Sequence, residues 1–181
     1  MALPLLCSAR GRAESAETQD PFDTGDSRYP AYLSLVDGLH VTGTPIEVDA
    51  GTYRLRVNGR VQKPLSLNLD EVRALPRQRL SFALECPGFF TDQGFWTGVP
   101  LKDLLALAGY DRDAAAVELT SIDGSYSQLV SLDTVLTGNV LVAYQFDDRD
   151  FAVYHGFPLR IAAEGEPGSV WVKWLGSITV Q

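Results

Sequence analysis

The chain has 181 residues, enough for one domain with a full core. Hydrophobic residues make up 45% and charged residues 21%, a globular balance that argues against a disordered or fibrous chain. The net charge of −8 argues against nucleic acid and anionic lipid, which need a basic face, and no apolar run reaches the roughly 18 residues of a membrane span.

Residues 1–7 read MALPLLC. This stretch is apolar, too short for a whole export signal, and has no basic residues before it. It reads as the stub of such a signal or as part of a tail. A lipoprotein signal would place a small residue before the cysteine, and here Leu6 precedes Cys7. Residues 8–30 are rich in Ser, Asp, Glu, Gly and Thr. The expectation is a flexible tail or signal remnant over 1–30 and a single domain over 31–181. The two cysteines, Cys7 and Cys86, argue against a disulfide framework and against a zinc site built from thiolates.

Residues 53–57 alternate, and Asn58-Gly59 follows, which predicts a hairpin returning at Arg60-Val61. Residues 68–75 read as a short helix with Asn68 as N-cap, Asp70 and Glu71 in the first turn, and Pro76 as its stop. Residues 79–85 alternate as a strand that runs into Cys86, and Pro87-Gly88 breaks it. A second helix is predicted over 100–108, with Pro100 at its start and Gly109 after its end.

Strands are predicted over 117–122 and 126–130 around the turn Asp123-Gly124. A hairpin is predicted from 139–146 and 150–153 around Asp147-Asp148, and final strands over 158–162 and 169–180. About eight strands and two or three short helices, without regular alternation, give an α+β class with mixed or antiparallel sheets rather than a doubly wound fold.

Cys86 is a soft ligand or nucleophile at the end of a strand. Taken alone it reads first as a buried structural thiol. His155 and Arg160, in Tyr154-His-Gly-Phe-Pro-Leu-Arg160, either converge on an anion or serve as a turn cap and a surface ion pair. A cysteine protease or acyltransferase with Cys86 and His155 is a rival reading. It is weakened because Pro87 and Gly88, and not a helix N-terminus, follow the thiol.

Four stretches change the balance. They are Leu84-Glu-Cys-Pro-Gly-Phe-Phe90, Trp96-Thr-Gly-Val-Pro-Leu101, His155-Gly-Phe-Pro-Leu-Arg160 and Val172-Lys-Trp-Leu-Gly176. In this order, from about Tyr53 to the C-terminus, they resemble the molybdopterin-dependent sulfite oxidase family. That family includes sulfite oxidases, plant-type nitrate reductases and bacterial methionine sulfoxide reductases. The resemblance implies the α+β molybdopterin-binding fold and an oxidoreductase moving an oxygen atom or two electrons. It also implies a molybdenum–pterin cofactor whose metal takes the Cys86 thiolate as a ligand. His155, Arg160 and Lys173 match the family's pterin-binding positions, which suits an anionic, phosphate-bearing cofactor. Trp171 and Val172 would offer backbone groups beside Lys173. Ser121 falls where some relatives place a cofactor-contacting Thr, and Tyr32 falls in the N-terminal pterin-contacting segment.

The departures are informative too. Residues 31–36 match the stretch in which sulfite oxidases carry a substrate-binding Arg, and they contain none. A substrate-side Tyr and a C-terminal immunoglobulin-like domain are not matched, and no Cys-x-x-Cys-His haem motif occurs. The expected substrate is therefore a small molecule other than sulfite, and electrons are expected to leave to a separate protein. Phe89 and Phe90 after the ligand turn suggest a neutral or organic substrate, or a core contact. The alternative to an enzyme is a non-catalytic pterin-binding or interaction module with the same fold. Many bacterial relatives are exported, so the periplasm or another exported location is expected, with the cytoplasm as the alternative.

Overall fold

The computed structural model describes residues 25–181. The readings of residues 1–7 and of Cys7 lie outside the described residues, as does most of the 1–30 tail. In chain order, β1 (Leu35–Val36) and β2 (Leu39–His40) precede β3 (Leu55–Gly59), β4 (Leu65–Leu67) and α1 (Leu69–Arg73). A long hairpin follows, β5 (Gln78–Cys86) and β6 (Phe90–Pro100), and then α2 (Leu101–Ala108). Next come β7 (Ala116–Ser121), β8 (Ser127–Ser131), α3 (Leu132–Thr137), β9 (Val140–Phe146) and β10 (Arg149–Asp150). The last strands are β11 (Arg160–Ala163) and β12 (Leu175–Val180), with 3-10 turns at Val153–His155 and Gly168–Val170.

Two five-stranded sheets carry the fold. One is antiparallel, ordered β10-β9-β6-β5, with β11 also paired to β9. The other is mixed, ordered β4-β3-β12-β7-β8, and its parallel pair is β3 with β12. With three short helices among the described residues, this is the expected α+β class.

Local sequence explains the helices. Asn68 and Glu71 form a capping box at α1, each side chain accepting the other's backbone N–H. In α2 the spacing Leu101, Leu104, Leu105, Ala108 buries one face, and Gly109 ends the helix at φ +67°. That buried face meets β3 of one sheet and β6 and β9 of the other. The core continues through Trp96, Tyr53, Leu119, Leu141 and Ile161.

Several elements differ from the sequence expectation. Asn58-Gly59 does not turn a hairpin. β3 runs through it, and Arg60 donates its N–H to the Val180 carbonyl at 2.8 Å. Gly59 sits at φ +85°, and a Cβ there would lie 2.2 Å from the Val180 oxygen, so this glycine serves close packing against β12. The eleven-residue β6 was not legible from the pattern. The short helix α3, capped by the Ser131 hydroxyl, was not located either. The predicted final strand over 169–180 is divided, because the 3-10 turn and Trp174 at φ +50° precede β12. The return arm after Asp147-Asp148 is only β10.

Candidate functional site

Cys86 is the last residue of β5 and pairs directly with Phe90 of β6. Pro87 and Gly88 form the corner, with Gly88 at φ +82° and Phe89 donating its N–H to the Cys86 carbonyl at 3.0 Å. Pro followed by a positive-φ Gly is the type II turn pattern. The inward positions of β5 are Phe82, Leu84 and Cys86, so the thiol continues a buried face but is itself only partly covered. That places it at the rim, not in the core.

The segment 153–160 builds the second part. His155 closes a 3-10 turn and is 1% exposed. Its Nε2 lies 2.8 Å from the Val36 carbonyl oxygen, so Nε2 carries the proton and donates. Nδ1 is then a bare acceptor, buried and without a partner among the described residues. Burial pushes the His155 pKa down to about 4, and the charges of Lys173 and Arg160 push the same way, against the bond to Val36. Gly156, at φ +104°, lets Lys173 lie against the turn, since a Cβ there would meet the Lys173 Cβ at 3.0 Å.

Arg160 opens β11 and is 2% exposed. It is not the surface ion pair that one reading of the sequence allowed. Its Nη1 donates to the His155 carbonyl at 3.2 Å, and its Nε is buried with no partner among the described residues. The guanidinium carbon stands 5.3 Å from the Trp96 ring, 5.8 Å from Phe151 and 6.0 Å from Trp171. Burial pulls its pKa down to about 10, opposed by the charge of Asp92.

Lys173 donates from Nζ to the carbonyls of Thr42, at 2.6 Å, and Tyr154, at 3.0 Å. Burial, and then the charge on Arg160, push its pKa well down, while Asp92 opposes. Asp92 is the only buried carboxylate among the described residues. Two cationic side chains therefore gather around one acid, a local positive excess within an acidic chain.

A cavity of about 590 Å³ opens in front of Lys173. Residues 42–46 form one wall, with Ser121 and Tyr126 among the others. Of the sequence-predicted residues, Ser121, Trp171 and Lys173 line it. Ser121 is tied down locally, donating to Asp123 Oδ1 at 2.7 Å and accepting the Tyr126 N–H at 3.0 Å. Trp171 donates Nε1–H to the Glu166 carbonyl. Val172 does not line the cavity; its N–H bonds the Val170 carbonyl and its own carbonyl accepts from Ile161. His155 and Arg160 join Lys173 in one cluster behind the wall.

Cys86 lies to the side, in a groove of its own turn. It approaches the cavity through Gly168, where an added Cβ would stand 4.0 Å from the Cys86 Cβ. Tyr32 precedes β1 and is not among the lining residues; the N-terminal wall is residues 42–46. That wall, and the buried Asp92, were missed by sequence reasoning. The one available signal was Gly43 and Pro45 punctuating a stretch without strand pattern.

A buried cationic cluster with two open polar atoms fits an anionic, hydrogen-bonding cofactor, and the rim thiol fits a soft metal. The comparisons agree. The family model described as "Oxidoreductase molybdopterin binding domain" matches residues 41–181. The chain is 31% identical to a nitrate reductase [NADH] of Volvox carteri over 71% of its length, covering 18% of that protein. It is 27% identical to the mitochondrial sulfite oxidase of Homo sapiens over 93% of its length, covering 41% of that protein. The sulfane dehydrogenase SoxCD of Paracoccus pantotrophus shares the fold, with a TM-score of 0.76 at 22% identity over 92% of this chain and 49% of that one. The chain thus spans less than half the length of each of these relatives. It belongs to the oxidoreductase molybdopterin-binding domain family, of the sulfite oxidase type.

Proposed function

We propose that the chain holds a molybdopterin against Lys173, Arg160 and His155, ligates its molybdenum through Cys86, and works as an oxidoreductase moving an oxygen atom or two electrons. The observation that carries this reading is the gathering of Arg160, Lys173 and His155 in one buried cluster, with Arg160 Nε and His155 Nδ1 without a partner among the described residues. When bound, the cofactor supplies redox chemistry at molybdenum. The protein's own groups bind and orient it. Arg160 offers a planar fork held among aromatic rings, Lys173 a point charge, and His155 an uncharged acceptor at neutral pH. Residues 42–46 and Trp171 wall the cavity in which it would sit.

Among the described residues no arginine lines the cavity or the Cys86 groove. An anionic substrate such as sulfite therefore lacks a fork beside the thiol. Phe89, 67% exposed, and Phe90 favour a neutral or organic one. Electrons leave to a separate carrier protein in this reading.

The test is metal and pterin analysis on one sample of the full chain made in a cofactor-competent host. The expected result is roughly one molybdenum and one pterin per chain. X-ray absorption should show one sulfur ligand fewer in Cys86→Ser. Less than about a tenth of an equivalent of both in the wild type overturns the reading.

A further inference from the structure

Asp92 has no part in the binding just described, although it is 2% exposed and charged groups of that kind are rarely buried without purpose. The β5–β6 register pairs Cys86 with Phe90 and Leu84 with Asp92. Directly paired residues share a face, as do alternate residues along a strand. Cys86, Phe90 and Asp92 therefore project from one face of the hairpin, with Asp92 diagonal to the thiol, about 7–8 Å along.

Both oxygens of Asp92 are taken by His40 of β2. Oδ2 accepts the His40 backbone N–H at 2.8 Å, and Oδ1 stands 2.5 Å from Nδ1. The imidazole also stacks on Phe90, with ring centroids 4.4 Å apart and planes at 17°. An ionised carboxylate only accepts, so Nδ1 carries a proton, and Nε2 is the nitrogen left to exchange one. Among the described residues none bonds Nε2, and the side chain is 25% exposed. The remaining charges nearby are accounted for. Arg160 and Lys173 act on Asp92 from β11 and from the segment before β12. Asp37, in the turn from β1 to β2, pairs with Arg149.

We propose that His40 is the proton-transfer residue of the Cys86 site and that Asp92 is the positioning residue that fixes its tautomer. This rests on the oxidoreductase reading above. Oxidation of a substrate S with oxygen drawn from water follows S + H₂O → SO + 2 H⁺ + 2 e⁻. The electrons leave one at a time to the carrier protein. Each proton passes from the water-derived oxygen to His40 Nε2 and then to bulk water, while Nδ1–H stays on Asp92. In the reducing direction the same atom delivers both protons. A carboxylate-oriented imidazole with one solvent-facing nitrogen is the arrangement that general acid–base transfer needs.

The test uses the full, cofactor-loaded chain, reduced with dithionite and reoxidised by ferricyanide in a stopped-flow instrument, which needs no substrate. His40→Gln is expected to slow reoxidation by about a hundredfold with molybdenum and pterin content unchanged. Imidazole added to the buffer should restore the rate of His40→Gly, which a merely structural histidine would not allow. A second readout needs no turnover. The downfield Nδ1 proton of His40 should appear by NMR in the loaded protein and vanish in Asp92→Asn. Wild-type kinetics in fully loaded His40→Gln, a slowed His40→Gly that imidazole does not rescue, or an Nδ1 that carries no proton each overturns this proposal alone. A wild-type chain without molybdenum overturns the oxidoreductase reading and takes this one with it.

Discussion

Lys173 Nζ bridges the carbonyl oxygens of Thr42 and Tyr154, 2.6 Å and 3.0 Å away. One ammonium thereby joins the N-terminal wall of the cavity, the turn that carries His155, and the segment before β12. Lys173→Met removes both bonds and leaves two carbonyls without their donor. The expected loss of stability is about 1–3 kcal/mol, seen as a lower urea midpoint. Molybdenum retained through gel filtration should fall at the same time. Lys173→Arg keeps the charge but not the compact ammonium, so it should recover only part of both. Full retention in Lys173→Met would remove this residue from the binding site.

His155 makes stability depend on pH in a defined window. Its pKa is about 4 in the fold, pushed down first by burial, against an ordinary value of 6.5. Between those values the unfolded chain takes up a proton that the folded chain refuses. Stability should therefore fall as pH drops from 6.5 towards 4, with this group contributing no slope above or below. The shift corresponds to roughly 3 kcal/mol. Urea unfolding across that range should show the slope in wild type and a flatter profile in His155→Gln. Parallel profiles for the two proteins would contradict the assignment.

These two residues also show what the sequence made legible. His155, Arg160 and Lys173 were read through motif order, and the fold brings them together because β11 and the segment before β12 are bonded, Ile161 N–H to the Val172 carbonyl. The α1 cap and the α2 face were legible because they are local and periodic. β6 was not, because its glycines answer distant groups: a Cβ at Gly94 would meet the Phe146 ring at 2.2 Å. The His40–Asp92 contact spans 52 residues and was equally invisible. Tyr32 and residues 42–46 both lie in stretches without a periodic pattern, so the sequence alone does not show which of them lines the cavity.

Gly98 allows a sharper test of that packing. It sits where the β6–β9 register shifts, and a Cβ there would fall 2.3 Å from the Val142 oxygen and 2.6 Å from the Ala143 Cα. Backbone atoms in the middle of a sheet cannot yield as a side-chain tip can. Gly98→Ala is expected to cost about 3 kcal/mol or more. Gly165 is the control. It has φ +74° but open space, so Gly165→Ala should cost only the backbone strain, about 1–2 kcal/mol. Thermal or urea unfolding of the two variants separates the effects, and equal losses would refute the argument.

Arg160 tests whether fork geometry matters beyond charge. Its guanidinium lies among Trp96, Phe151 and Trp171 and donates to the His155 carbonyl. A lysine there is a point charge on a stem that sheds its proton more readily when buried, and it offers no planar pair of donors. Arg160→Lys should fold, because the amine can go neutral, yet retain the cofactor about tenfold less well. The loss of fixed charge has a second consequence. Burial is the first cause of the depressed Lys173 amine and the charge on Arg160 the next, so the Lys173 pKa should rise in the variant. Acetylation of Lys173 followed by mass spectrometry across pH reads that shift directly. An unmoved profile together with wild-type cofactor retention would show that neither the fork nor the charge of Arg160 acts on this site.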